Sequence, residues 1–272
     1  MGFFIKMKKN KILRSFVFKV WGVLAIICFK IKIIFFEDKR YKNIKSLKNK
    51  YIGKRCFIIA TGPSLKVSDL ELLKNEITIS MNSIINILDK TEYRPNVYMI
   101  QDKSVYEKIN KNGDMNKLDP ATVYIGISNI GHKGFSEKDI VNKKWNLFHL
   151  DVASSWYSLK CNKFVPKFST MCEKKIMDGT TITYSAIQLA MYMGFKRIYL
   201  IGTDCNYKGQ KKHIVDYGMN LEEKDIDLIH KNMITSFKKA KVEAKKYNVE
   251  IYNATRGGML EVFPRVNLEE IL

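Results

Sequence analysis

The sequence predicts an α/β fold: a Rossmann-like, mostly parallel sheet flanked by helices, with a lid or insertion and an N-terminal amphipathic helix. Three observations carry this. Six short apolar runs read as buried strands: CFIIA (56–60), ITISM (77–81), VYMI (97–100), TVYIGI (122–127), RIYLI (197–201) and VEIY (249–252). They alternate with helical or loop segments, as parallel strands with crossover connections do. Several also end in Gly, Asn or Asp, the residues of ligand-binding turns at strand tips.

The first element is the basic N-terminal segment. The chain has 272 residues and a formal net charge of +20. Residues 1–55 hold 16 Lys/Arg against two acids, Glu37 and Asp38, so most of the charge lies there. The apolar stretch from Phe16 to Phe36 is interrupted by Lys19, Lys30 and Lys32. Its longest unbroken run, Val20 to Phe29, has ten residues, whereas a spanning helix needs about 20. The favoured reading of residues 1–54 is an amphipathic helix lying on an anionic membrane surface. A spanning helix, or one packed on its own domain or on an oligomer partner, is the alternative. Nucleic acid is disfavoured, because the lysines come with bulky aliphatics and no nucleic-acid-binding motif accompanies them.

Residues 55–272 form the predicted sheet domain, long enough to bury its own core. Its first strand runs into Thr61-Gly62-Pro63-Ser64, a tight turn before a helical stretch near 68–74. The stretch 128–178 is rich in Lys, Asn and Ser and reads as an irregular insertion or lid. Regularity returns with Gly179-Thr180-Thr181, the helical stretch 183–193, Gly194 as a helix terminator, and the strand 197–201. A polar loop, a long basic helix over 228–247 and the strand 249–252 complete the order. Five scattered cysteines with no Cys-x-x-Cys pair argue against a disulfide scaffold and a zinc ribbon.

The candidate site residues sit at the ends of these strands. Gly62, Pro63 and Ser64 form a strand-to-helix turn that can present N–H groups to a phosphate. The turn lacks the Lys of a P-loop and the spacing of a dinucleotide fingerprint. Asn82 stands about 20 residues on, where doubly wound folds face the ribose. Asp102 follows the third strand, on the same rim. Gly179, Thr180 and Thr181 open a helix and offer hydroxyls and unpaired N–H groups. Asp204 ends the strand 197–201, with Tyr207 and His213 in the loop beyond. His230 begins the long helix and is one of four histidines. Arg256 and Gly257 follow the last strand, where an arginine can clamp a phosphate or carboxylate. For Asn82, Asp102, the threonines and Arg256, an ordinary cap or turn explains the residue as well. No metal site is expected: there is no His-x-x-x-His, and the one Asp-x-Asp, Asp225 to Asp227, opens a helix.

Three blocks together carry a family resemblance: CFIIATGPSL (56–65), DGTTITYSAIQLAMYMGFKRIYLIGTDCNY (178–207) and VEIYNATRGGMLEVFPRV (249–266). They resemble the bacterial sialyltransferases of glycosyltransferase family 42. They also resemble the wider DUF115 domain family, which includes 6-hydroxymethylpterin diphosphokinases and flagellin-glycosylation accessory factors. The sialyltransferase resemblance implies a CMP-sugar donor, a glycan or glycolipid acceptor, inversion at the anomeric carbon and no required cofactor or metal. It implies that Gly62 and Asn82 hold the CMP and that Gly179 and Thr180 lie near the donor. Tyr207 would assist phosphate departure, with His213 where that family has a second tyrosine. His230 would be the base, one residue off the family's position. With the basic segment, this implies a peripheral enzyme of lipopolysaccharide or capsule biosynthesis on the cytoplasmic face of the inner membrane. The diphosphokinase branch implies ATP and Mg²⁺ instead. A non-catalytic, membrane-attached nucleotide-sugar-binding protein is the third alternative.

Overall fold

The computed structural model describes residues 11–35, 39–130, 134–140, 142–156, 164–206 and 223–272. Eight strands form one all-parallel sheet: β1 (Arg55–Ile59), β2 (Thr78–Met81), β3 (Val97–Ile100), β4 (Val123–Ser128), β5 (Asn146–Asp151), β6 (Ile176–Met177), β7 (Arg197–Ile201) and β8 (Glu250–Asn253). Their order is β6-β5-β4-β3-β2-β1-β7-β8. The chain winds outward from β1 to β6, then returns to lay β7 on the other side of β1. The β1–β7 pair, with Ile59 opposite Ile201, is therefore the switch point of the sheet, the place where open α/β sheets bind ligands.

The helices are α1 (Lys11–Phe35), α2 (Val67–Leu72), α3 (Lys103–Ile109), α4 (Ala153–Trp156), α5 (Ile182–Tyr192), α6 (Glu223–Lys246) and α7 (Leu268–Ile271). Both faces of the sheet are covered, which is why its strands read as continuous apolar runs. Alternation divides them: Cys56, Ile58 and Ala60 enter one core with α5 and α6, while Phe57 and Ile59 enter the other with Leu70, Leu73 and Ile84. The stripe Met233, Phe237, Ala240 and Ala244 sets α6 on the first core. Gly194, at φ +90°, ends α5 as its sequence position suggests.

Two regions differ from the sequence reading. Residues 128–178 are not simply an insertion, because they contribute β5 and β6 to the sheet. β5 escapes the hydrophobic pattern through Asn146, His149 and Asp151, yet all six of its residues are buried. Its polar groups are matched inside: Asn146 Nδ2 donates to the carbonyls of Ala121 (2.8 Å) and Val123 (3.1 Å). The packed body also begins before Arg55. A 3-10 segment, Lys39–Leu47, buries Tyr41, Ile44 and Leu47. Tyr41 stacks on His149 with ring centroids 3.9 Å apart. The N–H groups of Asn49, Tyr51 and Gly53 bond the carbonyls of Tyr192, Met193 and Gly194 at the end of α5.

Candidate functional site

The cleft lies at the switch point. It is built from the tips of β1 (Ala60, Thr61, Gly62), β2 (Met81, Asn82) and β7 (Gly202 to Asn206), the start of α5 (Thr181 to Thr183), and Met233 of α6. Its enclosed part is about 60 Å³. Small residues make this gap possible. A Cβ on Gly62 would stand 2.0 Å from Asp204 Oδ2 and 2.5 Å from the Gly202 carbonyl. A Cβ on Gly202, at φ +63°, would stand 2.5 Å from the Ala60 carbonyl.

Asp204 is the keystone. Its Oδ2 accepts from Ser64 Oγ (2.8 Å) and its Oδ1 from the Ser64 N–H (3.2 Å). The carboxylate thus ties the β1 turn to the β7 tip. Burial pushes its carboxyl above the ordinary value, opposed by the Ser64 bonds. The motif after β8 holds the β7 tip from behind. Thr203 N–H donates to Thr255 Oγ1 (3.0 Å), the Thr255 N–H to Asn253 Oδ1 (3.0 Å), and the Met259 N–H to the Asp204 carbonyl (2.7 Å). Gly258 is required there, since its Cβ would lie 2.7 Å from that same carbonyl oxygen.

Three non-glycine residues at the cleft and its margin have left-handed backbones: Asn82 (φ 49°), Thr180 (φ 65°) and Cys205 (φ 52°). A β-branched threonine in that region is strained, and such strain concentrates at binding and catalytic sites. Tyr98 Oη donates to the Asn82 carbonyl (2.8 Å) and holds that residue in place. Thr181 caps α5 by accepting from the Thr183 N–H. The N-terminus of this eleven-residue helix faces the cleft, an arrangement that favours an anion. Burial pushes the Cys205 thiol up to about 12, so it is no thiolate at neutral pH.

The expected site residues divide into groups. Gly62, Asn82, Thr181 and Asp204 line the cleft together. Pro63 and Ser64 complete the β1 turn, and Gly179 and Thr180 shape the approach to α5. Gly179 lies flat against the Tyr184 ring, which a Cβ would meet at 2.2 Å. His230, one turn before Met233 on α6, is half-buried and is not among the residues that line the cleft, and its Nε2 is buried with no hydrogen-bond partner. Because α6 follows β7 in a parallel crossover, its N-terminal turns stand over the cleft edge of the sheet. Tyr207 and His213 lie outside the described residues.

Two expected residues are placed elsewhere. Asp102 caps α3, accepting from the N–H groups of Ser104 and Val105, and does not line the cleft. Arg256 pairs with both oxygens of Asp69 (2.7 and 2.8 Å) and with Glu269 (2.6 Å). It pins α2 and α7 to the turn after β8 rather than clamping a ligand, while Gly257 beside it faces open space. A wider, shallower hollow of about 590 Å³ lies at this corner, but its arginines are already paired, Arg256 as above and Arg265 with Glu261. Sequence reasoning missed Met81, Thr183 and Met233 as lining residues and Cys205 as a strained one. Met233 alone had a signal, its helical spacing from His230.

Among the described residues, no group of three or more His, Cys, Asp or Glu stands together as a metal site. No curated protein matches the chain significantly. A similar solved structure is the MAf glycosyltransferase from Magnetospirillum magneticum AMB-1, at 14% identity and a TM-score of 0.49. The alignment covers 85% of this chain and 38% of that one, so the chain spans well under half the length of that protein. The family model described as "MptE-like: 6-hydroxymethylpterin diphosphokinase MptE-like" matches residues 35–210, well over half of the sequence and all of the strands from β1 to β7, and the chain belongs to that family.

Proposed function

We propose that this protein is a transferase that binds a nucleotide-activated donor in the switch-point cleft, and specifically a glycosyltransferase moving a sialic-acid-like sugar from a CMP donor to a glycan or glycolipid acceptor. The observation that carries the reading is the convergence of three strand tips and one helix N-terminus on a single cleft with strained, non-glycine backbone at its edge. A phosphate belongs at the start of α5, where N–H groups and the Thr181 and Thr183 hydroxyls lie. Asn82 and the Gly62 turn suit the nucleoside. His230 supplies the base: its unpartnered Nε2 takes the proton of an acceptor hydroxyl as that oxygen attacks the anomeric carbon. The bond from that carbon to the phosphate oxygen breaks, inverting the centre and releasing CMP, whose departing charge Tyr207 would help to stabilise. No metal or further cofactor is required in this reading.

The family match favours a second reading, a diphosphokinase-like transfer from ATP with Mg²⁺. Its fit to the described cleft is poor. The carboxylate that lines the cleft is Asp204, and both its oxygens are engaged by Ser64. A thermal-shift comparison of CMP, UDP, GDP and ATP, each with and without Mg²⁺, separates the two. A ligand at one hundred times its Kd stabilises by about 2.7 kcal/mol. A metal-independent CMP shift with turnover of a CMP-sugar supports the first reading. A shift with ATP and Mg²⁺ alone supports the second. CMP-sugar binding without hydrolysis or transfer leaves a non-catalytic binding protein.

A further inference from the structure

We propose that α1 docks this protein on the surface of an anionic lipid bilayer, lying in the interface plane with one exposed apolar face inserted. Phe16, Val20, Leu24, Ile27 and Ile31 recur at helical spacing and are all exposed, Phe16 by 64%. Trp21, exposed by 71%, stands on one border of this stripe. Lys19 and Lys30 fall on the other border, about 100° of helix per residue fixing their places. Gly22, nearly opposite the stripe, is buried, and α1 touches α4, so the helix is attached by one side and bare on the other. The exposed stripe, from Phe16 to Ile31, is about 23 Å long.

Charge selects the occupant. The segment that follows α1 exposes Lys39, Lys42, Lys45, Lys48, Lys50 and Lys54. Residues 1–55 hold 16 Lys/Arg against two acids. A second copy seated on this face would set that charge against its like, whereas acidic headgroups complement it. Crossing is disfavoured, because no helix among the described residues is long and apolar enough to span a membrane. The contact with α4, which follows β5, attaches α1 to the edge of the sheet on which the cleft opens. This inference is independent of the transferase reading.

The test is flotation of the full chain with phosphatidylcholine vesicles containing phosphatidylglycerol, against phosphatidylcholine alone. Partition is expected to be at least about tenfold stronger on the anionic vesicles and to weaken with salt. Leu24→Glu with Ile27→Glu should abolish it, and Lys19→Gln with Lys30→Gln should lower it severalfold. Leu24, Ile27 and Lys30 are exposed and Lys19 is half-buried, so an unchanged thermal midpoint verifies that the fold is intact. Alkaline carbonate should release the bound protein. Failure to float, equal flotation of the Glu variant, or resistance to carbonate would overturn the proposal. So would a dimer in solution that the Glu variant splits while vesicle binding is absent.

Discussion

Two regions of the sheet's carboxyl-terminal edge, the switch point and the β5–β6 end, are built in opposite ways. At β1 and β7 the tips are glycines and small polar residues, the backbone is strained, and a cleft remains. At β5 and β6 the tips carry Asp151 and Asp178, and side chains close the edge. Asp151 accepts from Lys175 Nζ (2.6 Å), Ser154 Oγ (2.7 Å) and Asn129 Nδ2 (2.8 Å). Asp178 accepts from Trp156 Nε1 (2.9 Å). The comparison separates polar residues that complete a structure from polar residues that leave capacity for a ligand. Carboxylates stand at both ends, so residue type alone does not tell them apart. What differs is whether neighbouring strands bring in partners that fill the space.

The sharpest way to break this contrast is at the open end. His230→Ala should lower sugar transfer about 100- to 10,000-fold while leaving the thermal midpoint unchanged. An unchanged rate with CMP-sugar would remove His230 from the mechanism. Gly62→Ala should cost about 3 kcal/mol in a denaturant titration, because the new methyl group meets backbone and a tethered carboxylate. It should also abolish the nucleotide-induced thermal shift. Wild-type stability in this variant would mean that the β1 and β7 tips have room to part.

The closed end should respond in stability and not in binding. Asp151→Asn should cost about 2 kcal/mol at neutral pH. Lys175 and Ser154 hold the Asp151 carboxyl below its ordinary value, outweighing burial. Its contribution is therefore full above about pH 4 and is lost as the pH falls through the folded value. The gap between wild type and variant should close in acid. Asp178 has the opposite sign, because burial raises its carboxyl. Asp178→Asn should relieve a penalty that grows as the pH rises from the ordinary aspartate value to the raised folded one and is constant above it, and should flatten stability between mildly acid and neutral pH. Binding should be least affected at the β8 corner. Arg256→Met should cost about 3 kcal/mol in stability, because it leaves the buried Asp69 carboxylate without its cation. Nucleotide affinity should not move, and a tenfold loss of affinity in a stable variant would return Arg256 to the site.

Much of the architecture was legible. Six strands announce themselves as apolar runs because both faces of the sheet are covered. β5 did not, because its polar residues are paid for by partners distant in sequence, such as the Ala121 and Val123 carbonyls. The Gly-Pro-Ser turn and Asn82 were legible as rim residues from strand-end position, and Thr181 from its place at a helix start. Asp102 and Arg256 satisfied the same rule and went elsewhere, one to a helix cap and the other to an ion pair with Asp69, 187 residues away.

From the sequence alone came the alternation of strands and helices, the concentration of charge before Arg55, and the small residues at the strand ends. These are local properties, set by periodicity, turn chemistry and composition. The placing of β7 beside β1 was decided only in three dimensions. So were the union of Ser64 with Asp204 across 140 residues and the exposure of one face of α1. Such pairings depend on how covered faces and crossover helices pack against one another, and no window of neighbouring residues contains that information.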